Sequence, residues 1–297
     1  MRSDDESGFL ARTISTQDGL KLYARDYMGD ASAMRARPPV ICLPGLTRNS
    51  RDFHQLALLL ARHPTDPYRV ITLDARGRGQ SERDADKSHY NLAVETQDVL
   101  TLCATLDIPQ AIFIGTSRGG LVMHLLAASR PDILKAAILN DIGPAIEKAG
   151  LADIRDYLNR DRKPIDRDDA VAILRENHGG TFTALGDDDW QDMAEAIYAF
   201  VDGKPVADYD PAIAEQLQSL DLEAPLADLW PQFEGFNGIP LMVIRGENSG
   251  LLSTVVTEEM ARRHHGTVVK TVAGQGHAPI LHLGDTPEVI RSFLSAV

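Results

Sequence analysis

A serine in a glycine-rich turn is the first residue whose context indicates chemistry. The turn reads Gly115-Thr116-Ser117-Arg118-Gly119-Gly120 and joins the apolar run Ala111–Gly115 to helical periodicity over Gly119–Ser129. In a strand–turn–helix G-x-S-x-G segment the glycines remove Cβ clashes, and the serine projects above the sheet where a helix begins. There the helix dipole and a free N–H favour a developing oxyanion. We predict that Ser117 is a nucleophile; the alternative is a structural turn.

A histidine between glycines is the candidate general base. The loop Gly274-Gln275-Gly276-His277-Ala278-Pro279 follows the apolar run Thr267–Val272. A neutral imidazole that reaches a serine over the sheet takes its proton and returns it to the leaving group. Of the other eight histidines, we expect His124 to be packed in a helix and His282 to lie near the site. The remaining six are expected to be solvated surface or cap residues: His54, His63, His89, His178, His264 and His265.

The turn Leu43-Pro44-Gly45-Leu46 is the candidate second half of an oxyanion site. It comes directly after the apolar run Val40–Leu43. Acyl transfer needs two backbone N–H donors aimed at the oxyanion, one from the residue after the nucleophile and one from the loop after an earlier strand. Arg118 and Leu46 occupy these two positions. The alternative for Leu46 is a simple turn.

The elements that position these residues alternate in type. Short apolar runs suit parallel strands buried between helices, and helical periodicity lies between them. The predicted strands are Pro39–Leu43, Arg69–Asp74, Ala111–Gly115, Ala136–Asn140, Ile239–Arg245 and Thr267–Val272. The predicted helices are Asp52–Arg62, Leu92–Leu106, Gly119–Ser129, Thr254–His264 and Pro287–Ser295. Ahead of them, Asp18-Gly19 joins two alternating runs and predicts a hairpin. The pattern is typical of a doubly wound α/β sheet.

The alternation stops over residues 144–236, where helical periodicity continues without a good buried strand. Leu151–Asn159, Arg167–Asn177 and Asp188–Val201 are the predicted helices of this stretch. We interpret it as a helical cap inserted into a core made of residues 1–143 and 237–297. The alternative is a set of peripheral helices.

Composition limits the classes of partner. The 297 residues carry a formal net charge of −13, which disfavours nucleic acid and anionic membrane surfaces. The two cysteines, Cys42 and Cys103, lie in apolar runs and are predicted to be buried free thiols. Met1–Ser7 lacks the basic start and apolar stretch of a secretory signal, and no apolar run approaches the roughly 18 residues of a membrane span. We expect a cytoplasmic monomer or homodimer with a small-molecule substrate and no membrane or nucleic-acid partner.

Taken together, the motifs resemble those of the α/β-hydrolase superfamily. The resemblance rests on the Ser117 turn, the Leu-Pro-Gly turn, the Gly-His loop and the D-x-R-G-x-G-x-S segment Asp74–Ser81. Its nearer likeness is to the cap-bearing esterase, lactonase and carbon–carbon hydrolase branch. The resemblance implies an α/β-hydrolase fold with a mostly parallel eight-stranded sheet, helices on both faces and a helical cap. It also implies a Ser–acid–His triad in that chain order, no cofactor and no metal, and a structural role for Asp74 and Arg76.

The acid of the implied triad is where this chain departs from the pattern. Relatives carry an Asp in the equivalent of the turn Gly246–Leu251, but this chain has Gly250 there. Other members of the superfamily place the acid after the preceding strand, where this chain has Asp141. We predict that Asp141 is the triad acid, with turn capping as its alternative role. Glu247 is a third candidate that lies early in its turn.

The resemblance implies a serine hydrolase of carboxylic esters, lactones or thioesters that forms an acyl-enzyme on Ser117. Two alternatives use the same triad: a carbon–carbon bond hydrolase, and an acyltransferase or perhydrolase. Because Gly250 replaces the usual acid, a degenerate hydrolase that only binds a small ligand is a further alternative. The apolar cap residues Leu158, Trp190 and Phe200 are expected to select the substrate.

Overall fold

Strands and helices alternate along the chain in a computed structural model that describes residues 8–28, 37–160 and 162–297. The prediction about a secretory signal at Met1–Ser7 lies outside these residues. The strands are β1 (Leu10–Ser15), β2 (Lys21–Tyr27), β3 (Val40–Leu43), β4 (Val70–Asp74), β5 (Ala111–Thr116), β6 (Leu134–Asn140), β7 (Tyr198–Val201), β8 (Lys204–Ala207), β9 (Leu241–Gly246) and β10 (Val268–Val272). Each predicted strand is therefore present within a few residues of its predicted bounds.

Eight of these strands form one sheet in the order β1-β2-β4-β3-β5-β6-β9-β10. Strand β2 pairs antiparallel with β1 and with β4, and the other neighbours are parallel. The predicted Asp18-Gly19 hairpin joins β1 to β2. The expectation of an eight-stranded, mostly parallel sheet is confirmed. Its parallel strands end at one edge, where β3, β5, β6 and β10 lead into the predicted site loops.

The central strands are apolar on both faces because helices cover both sides of the sheet. In β5, Ile112 and Ile114 pack into one buried cluster while Phe113 packs into the other. The helices are α1 (His54–Ala61), α2 (Leu92–Thr105), α3 (Arg118–Ser129), α4 (Lys148–Leu158), α5 (Arg167–His178), α6 (Asp187–Ile197), α7 (Pro211–Gln218), α8 (Trp230–Phe233), α9 (Thr254–Arg263) and α10 (Thr286–Ser295). The sheet that carries the site loops is therefore packed on both faces.

The segment between β6 and β9 contains a hairpin that the sequence analysis missed. The predicted helix Asp188–Val201 is wrong at its end, because α6 stops at Ile197 and Tyr198–Val201 forms β7, which pairs antiparallel with β8. Asp202 and Gly203 turn the chain with φ of 49° and 76°. A two-residue hairpin turn with positive φ at both residues favours the dipeptide Asp-Gly. The Asp-Gly pair that predicted the β1–β2 hairpin therefore also occurs at this one.

The end of the same segment packs on the core. Phe233 and Phe236 are 1% and 0% exposed and belong to the cluster that contains Phe113. Residues 230–236 therefore pack against the core, and the division into a core and a cap over residues 144–236 stays a prediction. The earlier part, from 144 to 229, has its own small apolar cluster around Trp190 and Leu174. We call residues 144–229 the insertion.

Two expectations about individual side chains have different outcomes. Cys42 and Cys103 are buried free thiols, as predicted. His264 is buried rather than solvated, because its Nε2 lies 3.0 Å from the carbonyl oxygens of Phe236 and Ile239. Within the described ranges, every helix is too short or too polar to cross a membrane.

Candidate active site

Ser117 occupies a strained turn between β5 and α3. Its φ of 50° and ψ of −116° place a non-glycine residue in a region that L residues rarely adopt. The glycines around it are required by close approach: a Cβ on Gly119 would overlap the Leu43 carbonyl oxygen, and one on Gly115 would lie 2.7 Å from the Gly119 carbonyl carbon. The turn thus raises the Ser117 side chain to the start of α3.

His277 lies in the loop between β10 and α10 and contacts Ser117. Its Nε2 is 3.0 Å from Ser117 Oγ, and its Nδ1 is 2.8 Å from Asp141 Oδ2. Asn140 supports this loop by donating from Nδ2 to the Pro279 carbonyl oxygen at 3.1 Å. An Nδ1–H donated to a carboxylate leaves Nε2 free to accept the serine proton. The structure therefore brings the three predicted catalytic side chains into one hydrogen-bonded chain.

Asp141 follows β6 directly and is completely buried. Besides His277, it accepts the Gly246 N–H at Oδ1 (2.8 Å) and the Ser249 hydroxyl at Oδ2 (2.5 Å). A buried carboxylate is stabilised only when its oxygens are hydrogen-bonded or paired. Sequence reasoning missed Ser249, although it stands beside Gly250 in the turn where relatives carry the acid.

Gly250 serves the insertion rather than the triad. Gly150 of α4 approaches it so closely that a Cβ on Gly150 would overlap the Gly250 carbonyl. A Cβ on Gly250 itself would lie 3.5 Å from Gly150 Cα and 3.6 Å from Asp153 Oδ2. A side chain at 250 would thus face α4 and its carboxylate. Glu247 is exposed and accepts the Gly274 N–H at 2.8 Å, so it steadies the loop that leads to His277.

The two predicted oxyanion donors border the same cavity as Ser117. In the described part of the chain, neither the Leu46 N–H nor the Arg118 N–H has a hydrogen-bond acceptor. Backbone N–H groups that lack an internal partner beside a cavity are suited to a substrate oxygen. Both predicted donors therefore remain available.

A buried ion-pair network joins the two oxyanion segments. Glu95 accepts from Arg78 Nη1 and from Arg118 Nε, each at 2.8 Å, and Arg78 Nε donates to the Leu46 carbonyl oxygen at 2.8 Å. Burial raises the pKa of Glu95, but Arg78 and Arg118 outweigh it and hold that pKa below its ordinary value. Arg78 belongs to the Asp74–Ser81 segment, for which the family resemblance implied a mainly structural role. That role includes orienting the Leu46 peptide.

A cavity of about 810 Å³ lies between the sheet edge and the insertion, with Ser117, His277, Leu46 and Arg118 in its wall. Its insertion side includes Ile154, Leu158, Met193, Ile213, Leu217 and Pro225. Most of the lining is therefore apolar, as suits an organic substrate.

The cavity wall includes histidines that were expected to be solvated, and it lacks two apolar residues that were expected to line it. His54, His178 and His282 line it, so His54 and His178 are not simple solvated residues. Leu158 lines the cavity as expected. Trp190 instead packs inside the insertion. The Arg167 guanidinium lies over the Phe200 ring, with Arg167 Cζ 4.4 Å from the ring centroid. Side-chain direction within the insertion depends on packing that periodicity alone does not give.

One candidate metal group occurs in the described stretches of the chain: Asp18, Asp84 and His89, whose ligand atoms lie within 4.8 Å of one another. The Arg76 guanidinium already bonds two of these residues, with Nη1 at 3.0 Å from Asp18 and 2.6 Å from Asp84. Neither these three side chains nor Arg76 lines the cavity. The group is therefore an ion-pair cluster built around Arg76.

The sheet, the strained serine turn and the His loop define a class of protein. A model described as the alpha/beta hydrolase fold matches residues 38–281, and the chain belongs to this hydrolase family. It is 32% identical over 269 residues to a 3-hydroxybutyrate-oligomer hydrolase from Cupriavidus necator, with 88% of each chain covered. It is 27% identical over 242 residues to a 2-(acetamidomethylene)succinate hydrolase from Mesorhizobium japonicum, with 81% of each covered. The crystal structure of an alpha/beta hydrolase from Novosphingobium aromaticivorans matches with a TM-score of 0.89 and 37% identity, over 98% of this chain and 99% of that one.

The position of the acid is testable by two substitutions. Asp141→Asn removes the charge that stabilises the imidazolium and disturbs its tautomer, so kcat should fall by about 10⁴. Gly250→Asp should raise kcat little, because its side chain would face Asp153 and not His277. Steady-state kinetics on an activated ester measures both. A nearly neutral Asp141→Asn together with a large gain in Gly250→Asp would show that the acid position is wrong.

Ser249 should act as a positioning residue for Asp141. Ser249→Ala removes a hydrogen bond to a buried charge, so kcat should fall by about tenfold or more with KM little changed, and Ser249→Thr should restore most of the rate. Ser253 provides a matched control, since it caps α9 by accepting the Val256 N–H and, among the described residues, forms no hydrogen bond with Ser117, His277 or Asp141. Ser253→Ala should lower stability by about 1 kcal/mol and leave kcat unchanged. Equal kcat in the two alanine variants would contradict this role.

Proposed function

We propose that this protein is a serine hydrolase of carboxylic esters that works through an acyl-enzyme on Ser117. The observation that supports this most is the hydrogen-bonded chain Ser117–His277–Asp141, with separations of 3.0 and 2.8 Å, at the wall of a largely apolar cavity. Serine at the elbow favours acyl transfer over the chemistry of relatives that use Asp as nucleophile.

In the proposed first half-reaction, Ser117 Oγ attacks the ester carbonyl carbon as its proton passes to His277 Nε2. The carbonyl oxygen becomes an oxyanion that accepts the Leu46 and Arg118 N–H groups. The C–O bond to the alcohol then breaks, and the alcohol oxygen takes the proton from His277. The product is an acyl group on Ser117 and a free alcohol.

In the second half-reaction, His277 takes a proton from water while that water attacks the acyl carbonyl. The same two N–H groups hold the oxyanion, the bond to Ser117 Oγ breaks, and Ser117 regains its proton from His277. The carboxylic acid leaves. Asp141 remains ionised throughout and stabilises the imidazolium in both halves.

The insertion acts in this proposal as a cap that selects the substrate. It closes the cavity above Ser117 with apolar side chains such as Ile154 and Leu158. The relative from Cupriavidus necator is a 3-hydroxybutyrate-oligomer hydrolase. We therefore propose that the substrate is a short linear ester of hydroxy acids, whose small aliphatic units fit an apolar cavity with a few polar groups.

The proposal is tested with Ser117→Ala and short 3-hydroxybutyrate oligomers. The wild type should hydrolyse the oligomers, and the variant should lose on the order of 10⁶ in turnover. Ser117 lies at a turn facing the cavity, so the variant should unfold at the same temperature as the wild type. If folded Ser117→Ala retains a few per cent of the wild-type rate, Ser117 is not the nucleophile.

A further inference from the structure

Arg48 lies beside the nucleophile in the wall of the cavity. It follows the oxyanion turn by two residues and is 28% exposed. A Cβ built on Gly45 would be 3.5 Å from Arg48 Cγ and 3.7 Å from Ser117 Cβ, so the two side chains flank the same glycine. The Arg48 guanidinium is therefore within reach of a substrate that reacts at Ser117.

Asp52 holds Arg48 by one edge only. Arg48 Nε donates to the two carboxylate oxygens at 2.9 and 2.8 Å, and Nη2 donates to Oδ1 at 2.5 Å. A guanidinium has five N–H donors, and this side-on pairing uses Nε–H and one Nη2–H. In the described ranges no acceptor bonds Nη1. The end-on edge, with one N–H from each Nη nitrogen, is thus open to a second carboxylate in bidentate geometry.

Arg51, in the same loop, shows the contrasting arrangement. It also lines the cavity, but its three guanidinium nitrogens are all engaged. Nε donates to the Glu195 carbonyl at 3.0 Å, Nη2 to the Tyr198 carbonyl at 3.3 Å, and Nη1 pairs with Asp208 at 2.6 Å. Arg51 therefore fastens the insertion to the core, whereas Arg48 keeps a free edge beside the reacting serine.

His178 faces the same cavity from the insertion. Its ring packs on Tyr157, with centroids 4.8 Å apart, and within the described residues its ring nitrogens have no hydrogen-bond partner. Burial, and then the positive charges of Arg48 and Arg160, lower the pKa of His178 to about 4. The imidazole is therefore neutral at pH 7 and offers one N–H donor to a substrate oxygen.

We propose that the open edge of Arg48 binds a carboxylate of the substrate, with His178 as a neutral donor from the insertion. This inference rests on the proposed function and specifies its substrate class: esters whose alcohol part carries a free carboxylate a few bonds from the ester oxygen. A linear oligomer of 3-hydroxybutyrate has this arrangement at its carboxyl end. Arg48 then holds the terminal unit as the leaving group, so each turnover releases one hydroxy acid from that end.

The test compares the 3-hydroxybutyrate dimer with its methyl ester, in which a methyl group removes the charge of the terminal carboxylate. The rate is followed at the ester bond that joins the two hydroxy-acid units, by release of 3-hydroxybutyrate or of its methyl ester. In the wild type the dimer should have the higher kcat/KM. Arg48→Gln should lower the ratio of kcat/KM for dimer over methyl ester by about tenfold or more, the size of one charge-assisted hydrogen bond. Arg48→Lys should retain part of the ratio, because it keeps the charge without the fork.

Two further variants complete the test: Asp52→Asn, which should change the ratio in the opposite direction, and Arg51→Gln, which is the matched control. Asp52→Asn should raise the ratio, because it removes the negative charge that shares Arg48 with the substrate. Arg51→Gln should leave the ratio as in the wild type, although it loosens the insertion. Each result is a ratio of two kcat/KM values measured on the same variant. A loss of stability lowers both values alike and therefore leaves the ratio unchanged.

Two outcomes separate this inference from the proposed function. If both esters are hydrolysed and Arg48→Gln and Asp52→Asn keep the wild-type ratio, Arg48 does not bind the carboxylate, and the ester hydrolase proposal stands. If neither ester is hydrolysed and a fluorophosphonate probe does not label Ser117, the proposed function fails and the carboxylate subsite fails with it.

Discussion

The buried carboxylate of Asp141 is the interaction on which the rest of the site depends. It directly follows β6 and accepts hydrogen bonds from Gly246 at the end of β9, from Ser249 in the turn that follows, and from His277 after β10. Three neighbouring strand ends are thus tied to one charge. An unpaired charge at a fully buried position costs several kcal/mol, so these three donors are needed for the fold as well as for orienting the imidazole.

The opposite side of Ser117 is organised by a second buried charge. Glu95 joins Arg78, which holds the Leu46 carbonyl, to Arg118, which begins α3. The two predicted oxyanion donors, Leu46 and Arg118, therefore belong to segments fixed by one carboxylate. Such preorganised donors stabilise a developing oxyanion without reorganising during the reaction. Ser117 lies between two networks whose members come from distant parts of the chain.

Local motifs were sufficient to predict that Ser117 and His277 lie at one edge of the sheet, because a strained elbow and a Gly-His loop depend on adjacent residues. The acid required more, since Asp141 was chosen against Gly250 and Glu247. The close packing of Gly150 on Gly250 that directs position 250 toward α4 is a contact across 100 residues and leaves no local signal. The burial of His264 and the position of His178 in the cavity wall were missed for the same reason, whereas the β7–β8 hairpin carried an Asp-Gly signal.

The central claim is that Ser117 becomes acylated during turnover, and trapping that intermediate tests it most directly. The protein is mixed with p-nitrophenyl acetate, quenched in acid within the first turnovers, digested and mapped by mass spectrometry. The account predicts a burst of p-nitrophenol with one acetyl group per chain, located on the peptide that contains Ser117. Release of p-nitrophenol without a burst, and acetylation only at lysines or at no residue, would contradict it.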